Sequence, residues 1–102
     1  MKYFIVEGVM KNQAAMNDDI LRKHVEYSSK NAVEIGLTLV SGVKGDNSGG
    51  ISIMKGGSLQ KIEAYLANDP LKTSGIQEYH VIEILPHYIN PGADEWFKDN
   101  NL

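Results

Sequence analysis

Lys2 to Val9 read KYFIVEGV, with Tyr3 and Ile5 alternating against Phe4 and Val6 before a glycine: a short strand rich in aromatic and β-branched residues. From Asn17 the period changes. Leu21, Val25, Ser28, Ala32 and Ile35 recur at helical spacing, which predicts one amphipathic helix over NDDILRKHVEYSSKNAVEIG. Asn17 is a good N-cap, Asp18 and Asp19 suit the positive end of the helix dipole, and Gly36 is a natural C-terminal stop. LTLVSGV (Leu37 to Val43) and ISIMK (Ile51 to Lys55) then flank KGDNSGG, whose residues take turn conformations cheaply, so two strands and an antiparallel hairpin are expected. A second helix opens at Ser58 and carries Leu59, Ile62 and Leu66 on one face. It stops at Asn68-Asp69-Pro70, because proline cannot continue a helix and restrains the residue before it. GIQEYHVIEILPHY holds the last strand, with Ile82 and Ile84 on one face, Tyr79, Val81 and Leu85 on the other, and Pro86 as its end.

The order β-α-β-β-α-β predicts an α+β fold of the ferredoxin-like kind, a four-stranded antiparallel sheet with two helices on one face. Helices cover one sheet face only. The other needs polar residues or a partner, yet strands one, two and four carry apolar residues on both faces. An apolar sheet face left bare on a small protein predicts association, so a homodimer packed sheet to sheet is expected. We expect one domain over residues 1–102, with a core over 1–88 and a tail over 89–102 whose Trp96-Phe97 pair docks on its own or a partner subunit.

Composition narrows the classes of function. The 102 residues carry no cysteine, which excludes disulfides, thiolate nucleophiles and Cys-ligated metals. Thirteen acidic residues against ten basic ones give a net charge of −3, which argues against nucleic acid or an anionic membrane as a partner. The third strand also lacks the base-stacking aromatics that an RNA-binding module of this topology carries. The apolar run Tyr3 to Val6 is too short for a signal peptide and Glu7 interrupts it; no stretch is long enough to span a membrane, so a cytoplasmic protein is expected.

Candidate chemistry centres on histidine. His24, His80 and His87 follow no metal-binding spacing, so no metal or other cofactor is expected. His80 alternates with Ile82 and Ile84 and is read as packing under the sheet; His87 follows Pro86 in a turn. His24 lies at the rim of the first helix's apolar stripe, where a histidine is either a hydrogen-bonded packing residue or a general acid or base. A catalytic histidine needs a group that fixes its tautomer. Asp69, held before a proline, is a candidate, although composition alone favours reading the same residue as a plain turn or cap.

With its elements in this order, the chain resembles the YciI-like (YCII-related) proteins of the dimeric α+β barrel superfamily. The resemblance rests on MKYFIVEG, on KHVEYSSKNAVEIGLTLVSG with its His-x-x-x helix leading to Ser41-Gly42, on SLQKIEAYLANDPLKTSGI with its Asp-Pro, and on EYHVIEILP. It covers residues 1 to about 88 and departs from the family at Gly42-Val43, where Gly-Pro is usual. It implies a ferredoxin-like protomer pairing into a dimeric barrel, with an active-site cleft in each subunit. It implies His24 and Asp69 as the catalytic pair, with Tyr27, Ser41 and Gly42 toward the substrate. The activity it implies is that of a small cofactor-independent lyase or isomerase, moving a proton on a small hydroxylated or carbonyl-containing, often aromatic, compound. The alternative, from another class, is a non-catalytic dimeric module that binds or senses a small ligand.

Overall fold

The computed structural model describes residues 1–96, so Phe97 and the rest of the tail lie outside the described residues. Strands β1 (Lys2–Met10), β2 (Thr38–Val43), β3 (Gly50–Gly56) and β4 (Gln77–Ile84) form one antiparallel sheet in the order β2-β3-β1-β4. The helical segments between β1 and β2 and between β3 and β4 complete the ferredoxin-like α+β fold. The core lies between helices and sheet: Phe4, Val6, Met54, Ile62 and Leu66 are buried together, with Leu37, Tyr65, Tyr79 and Val81 packed around them. No helix among the described residues is long and apolar enough to cross a membrane.

The first helix departs from the single α-helix expected. Helix α1 (Asp18–His24) passes into a π-helical segment, Val25–Asn31, and then into α2 (Ala32–Glu34). Asn17 caps the start, accepting the Ile20 N–H at 2.9 Å, and Gly36 ends it at φ 76°. A π turn closes hydrogen bonds one residue later than an α turn, so residues past Val25 fall out of the expected phase. Ala32 stays buried, whereas Ile35, assigned to the apolar face by α periodicity, is 67% exposed.

Helix α3 (Leu59–Ala67) is capped by Ser58 as expected, and Ile62 and Leu66 enter the core. The Asn68-Asp69-Pro70 stop also starts something. Pro70 is the first residue of a further short helix, α4 (Pro70–Thr73), which needs no N–H there.

Strand β2 carries a bulge. Thr38 pairs with Met54 but Val40 pairs with Ile53, so Leu39 is the extra residue. The shift flips the later alternation: Ser41 comes opposite Ser52, in line with buried Val6, and so faces the helices. The hairpin tip rests on the end of β1. The Met10 N–H donates to the Ser48 carbonyl at 3.0 Å, and Lys44 Nζ stands 2.7 Å from Glu7 Oε2. Gly49, at φ 148°, comes so close that a Cβ there would lie 1.9 Å from the Gly8 carbonyl oxygen.

The helix-free sheet face bears the row Val40, Ile53, Ile5, Ile82 across all four strands. His80 shares this face, beside Glu7 at 4.0 Å; with 68% of its side chain exposed, it does not pack under the protomer's own sheet. Beyond β4, Leu85 and His87 are exposed, and α5 (Ala93–Trp96) ends with Trp96 66% exposed.

Candidate active site

Asp69 is the centre of the site. The proline after it holds its backbone extended (φ −64°, ψ 131°), and its carboxylate caps α4 by accepting the Leu71 N–H at 2.8 Å. The residue is 0% exposed. Three side chains from other elements also donate to it. His24 Nδ1 lies 2.9 Å from both carboxylate oxygens, Tyr79 gives its hydroxyl proton to Oδ2 at 2.6 Å, and Ser28 Oγ donates to the same oxygen. His24 and Ser28 stand four residues apart on the first helix, and Tyr79 faces inward from β4 through strand alternation.

The electrostatics follow from these bonds. Burial alone pushes the Asp69 carboxyl up, but the hydrogen bonds from His24, Ser28 and Tyr79 outweigh it and hold the group below its ordinary value. Asp69 is therefore ionised at neutral pH and accepts only. Whenever the His24 ring is neutral, Nδ1 is then its protonated nitrogen and Nε2 carries the lone pair. Burial, then the bond to Asp69 and its charge, push the Tyr79 phenol strongly upward, so Tyr79 stays a donor. Ser28 spends its proton on Asp69 rather than on His24, which leaves it unactivated as a nucleophile.

The His24 side chain is 20% exposed and lines a cleft of about 420 Å³ between the first helix, the inner sheet face and the hairpin tip. Leu21, Val25, Met10 and Met16 supply apolar wall, whereas Ser41, Ser52 and Gln77 supply polar groups. A mostly apolar concavity with a few convergent polar groups is the usual form of a small-molecule site.

Of the residues singled out from sequence, His24 and Asp69 come together, and Ser41 and Gly42 lie with His24 on the wall of the same cleft. Tyr27 does not join them. Its ring stacks on Tyr65 at 4.5 Å, its hydroxyl donates to the Tyr65 carbonyl, and the Tyr65 hydroxyl donates back to the Tyr27 carbonyl, each at 2.7 Å. This reciprocal pair ties the π segment to α3, and only Tyr65 reaches the cleft. Ser28, Tyr79 and Gln77 escaped the sequence reading. Ser28 was detectable as the residue one helical turn after His24, and Tyr79 and Gln77 as inward positions of a strand whose inner side was read as apolar. Among the described residues no three His, Cys, Asp or Glu side chains are grouped to hold a metal ion.

Fold and site together define a ferredoxin-like α+β protomer with a carboxylate-centred polar cluster beside a cleft. A solved structure with this fold is that of 5-chloro-2-hydroxyhydroquinone dehydrochlorinase (TftG) from Burkholderia phenoliruptrix AC1100, in complex with 2,5-dihydroxybenzoquinone. The two superpose with a TM-score of 0.62 at 14% identity, over 84% of this chain and 95% of that one. At that identity the likeness is one of fold. No protein-family model matches the chain, and no curated protein matches it.

Proposed function

We propose that the chain is a small enzyme of YciI-like type that transfers a proton on a small hydroxylated quinone, hydroquinone or related carbonyl compound, with His24 as general base and acid. One observation carries the proposal: a fully buried, ionised Asp69 fixes Nδ1 of a histidine whose ring lines the cleft. Nε2 takes a proton from a hydroxyl or from a carbon next to a carbonyl, and the electron pair left behind forms an enolate. In an isomerisation the same proton returns from Nε2 to another carbon. In an elimination from a chlorohydroquinone, Nε2 first returns the proton to the chlorine-bearing carbon and makes it tetrahedral; removal of a second hydroxyl proton then lets that oxygen's electron pair expel chloride as the quinone forms, and the proton on Nε2 passes to water. Asp69 stays ionised throughout and stabilises the transient imidazolium.

The test is chloride release and product absorbance with 5-chloro-2-hydroxyhydroquinone, the compound named for the dehydrochlorinase of the same fold. Turnover by the wild-type chain is expected, with His24→Ala slowing it on the order of 10²–10⁴-fold while thermal melting stays near wild type. An undiminished rate in His24→Ala contradicts the mechanism. Ligand binding without turnover in the wild type turns the reading toward a sensor.

We also propose that the chain works as a homodimer, the copies meeting through Val40, Ile53, Ile5 and Ile82. The support is that row, with Tyr3 and Ile51 exposed beside it at 38% and 47%. Sedimentation of a stable monomer at micromolar concentration contradicts it.

A further inference from the structure

Gln77 opens β4 on the inner face of the sheet, is 2% exposed, and lines the cleft that holds His24. Register places it. Met10 pairs with Gln77 and Gly8 with Tyr79, so Gln77 stands diagonally across from Gly8, within reach of a long side chain. The carboxamide lies directly over Gly8: a Cβ there would come within 2.5 Å of Nε2 and 2.9 Å of Oε1.

This contact explains a glycine that the backbone does not demand. Gly8 is absent from the glycines with positive φ (Gly36, Gly49 and Gly75) and sits inside a strand, where glycine costs conformational entropy and gives nothing to pack. Its missing side chain is the space in which the Gln77 amide lies. A primary carboxamide has two N–H donors and a carbonyl acceptor. Near Tyr79 the amide acts as a donor does, favouring negative charge on the phenol oxygen. The Tyr79 and Ser28 protons go to Asp69, so neither satisfies the Gln77 carbonyl. The carboxamide stands at the wall of the cleft, on a residue only 2% exposed. An amide held in this way at the wall of a mostly apolar cleft is one of the few polar groups placed to fix a ligand's orientation there.

We infer that Gln77 orients the substrate, its carboxamide hydrogen-bonding an oxygen of a small hydroxylated carbonyl compound held beside His24, with Gly8 as the space that admits it. The inference rests on the proton-transfer reading. It adds to that reading the group that faces the oxygen on which charge develops as His24 removes the proton.

The test uses 2,5-dihydroxybenzoquinone as probe, with binding measured by calorimetry and the glutamine side-chain N–H resonances followed by NMR. In the wild-type chain the Gln77 resonances are expected to move on binding, which needs no variant to fold. Gln77→Met keeps length and volume but removes the amide, and is expected to weaken binding about tenfold or more. Gly8→Ala pushes the amide aside without removing it and is expected to weaken binding similarly. Both variants should leave the His24 ring resonances of the free protein unchanged, which a general loss of structure would not. Wild-type binding with silent Gln77 resonances, or with Gln77→Met as tight as wild type, overturns the inference and spares the proton-transfer reading. No binding to the wild-type chain overturns both.

Discussion

On the inner face of the sheet a fully buried carboxylate gathers four hydrogen-bond donors, whereas on the outer face Val40, Ile53, Ile5 and Ile82 run as an apolar row with no helix over it. The same strands build both. Gln77 and Tyr79 alternate with His80 and Ile82 along β4, and in β2 the extra residue Leu39 decides that Ser41 belongs to the inner set. Around Asp69 the inner side spends its polar groups on one another and so fixes a geometry. The outer face carries its apolar row without a helix to cover it, and on that row the proposed homodimer rests. Polar pairing marks the one face, and exposed apolar area the other.

That contrast is broken most severely by removing Asp69. Asp69→Ala leaves a buried imidazole, phenol, hydroxyl and backbone N–H without their acceptor, and is expected to cost about 3–5 kcal/mol in urea unfolding and to abolish turnover. The loss should depend on pH with a definite sign. Because the folded carboxyl is held below its ordinary value, its contribution is complete above the ordinary carboxylate range and is lost as pH falls through the lowered folded value. The wild-type advantage over Asp69→Ala should therefore shrink on acidification; an advantage that grows toward low pH contradicts the assignment of Asp69 as an ionised acceptor.

Ile53→Lys acts on the other face. It puts a charge in the middle of the apolar row, and is expected to weaken self-association by about 100-fold or more in sedimentation, with protomer circular dichroism unchanged. Equal association by wild type and variant removes this face as the interface. Smallest is Tyr79→Phe, which deletes one of the Asp69 donors and keeps the ring in the core. A loss of about 1–2 kcal/mol in unfolding is expected, with dimerisation untouched. A change in association on this substitution shows that the two faces are coupled rather than separate.

The sequence carried the order of elements well, because alternation and helical spacing are local signals. Asn17 and Ser58 cap as their residue types dictate, and Gly36 stops the first helix at positive φ. The π segment left no such signal. It is tied to α3 by the Tyr27–Tyr65 pair, whose members lie 38 residues apart, and of the expected apolar stripe Leu21, Val25 and Ile35 are exposed while Ala32 is buried. The Leu39 bulge was hidden for a similar reason, since a bulge is a property of two paired strands. His24 and Asp69 were legible as a candidate pair from residue chemistry, and the resemblance pointed to the same two. The sequence reading left Asp69 open between cap and orienting carboxylate. The structure gives it both places, one N–H of α4 on Oδ1 and His24 beside it. Tyr79 and Gln77 were read only as strand residues, because nothing in a strand's alternation distinguishes a phenol that packs from one that donates to a carboxylate.

The central claim is that Asp69 fixes His24 with its proton on Nδ1 and its lone pair on Nε2. A long-range ¹H–¹⁵N spectrum of the histidine side chains, recorded with the His24 ring neutral, reads this directly. The expected result is a protonated Nδ1 and an unprotonated Nε2 for His24, reversed or averaged in Asp69→Ala. A wild-type His24 with its proton on Nε2 would contradict the account, because the nitrogen left to act in the cleft would then have no lone pair to accept a proton.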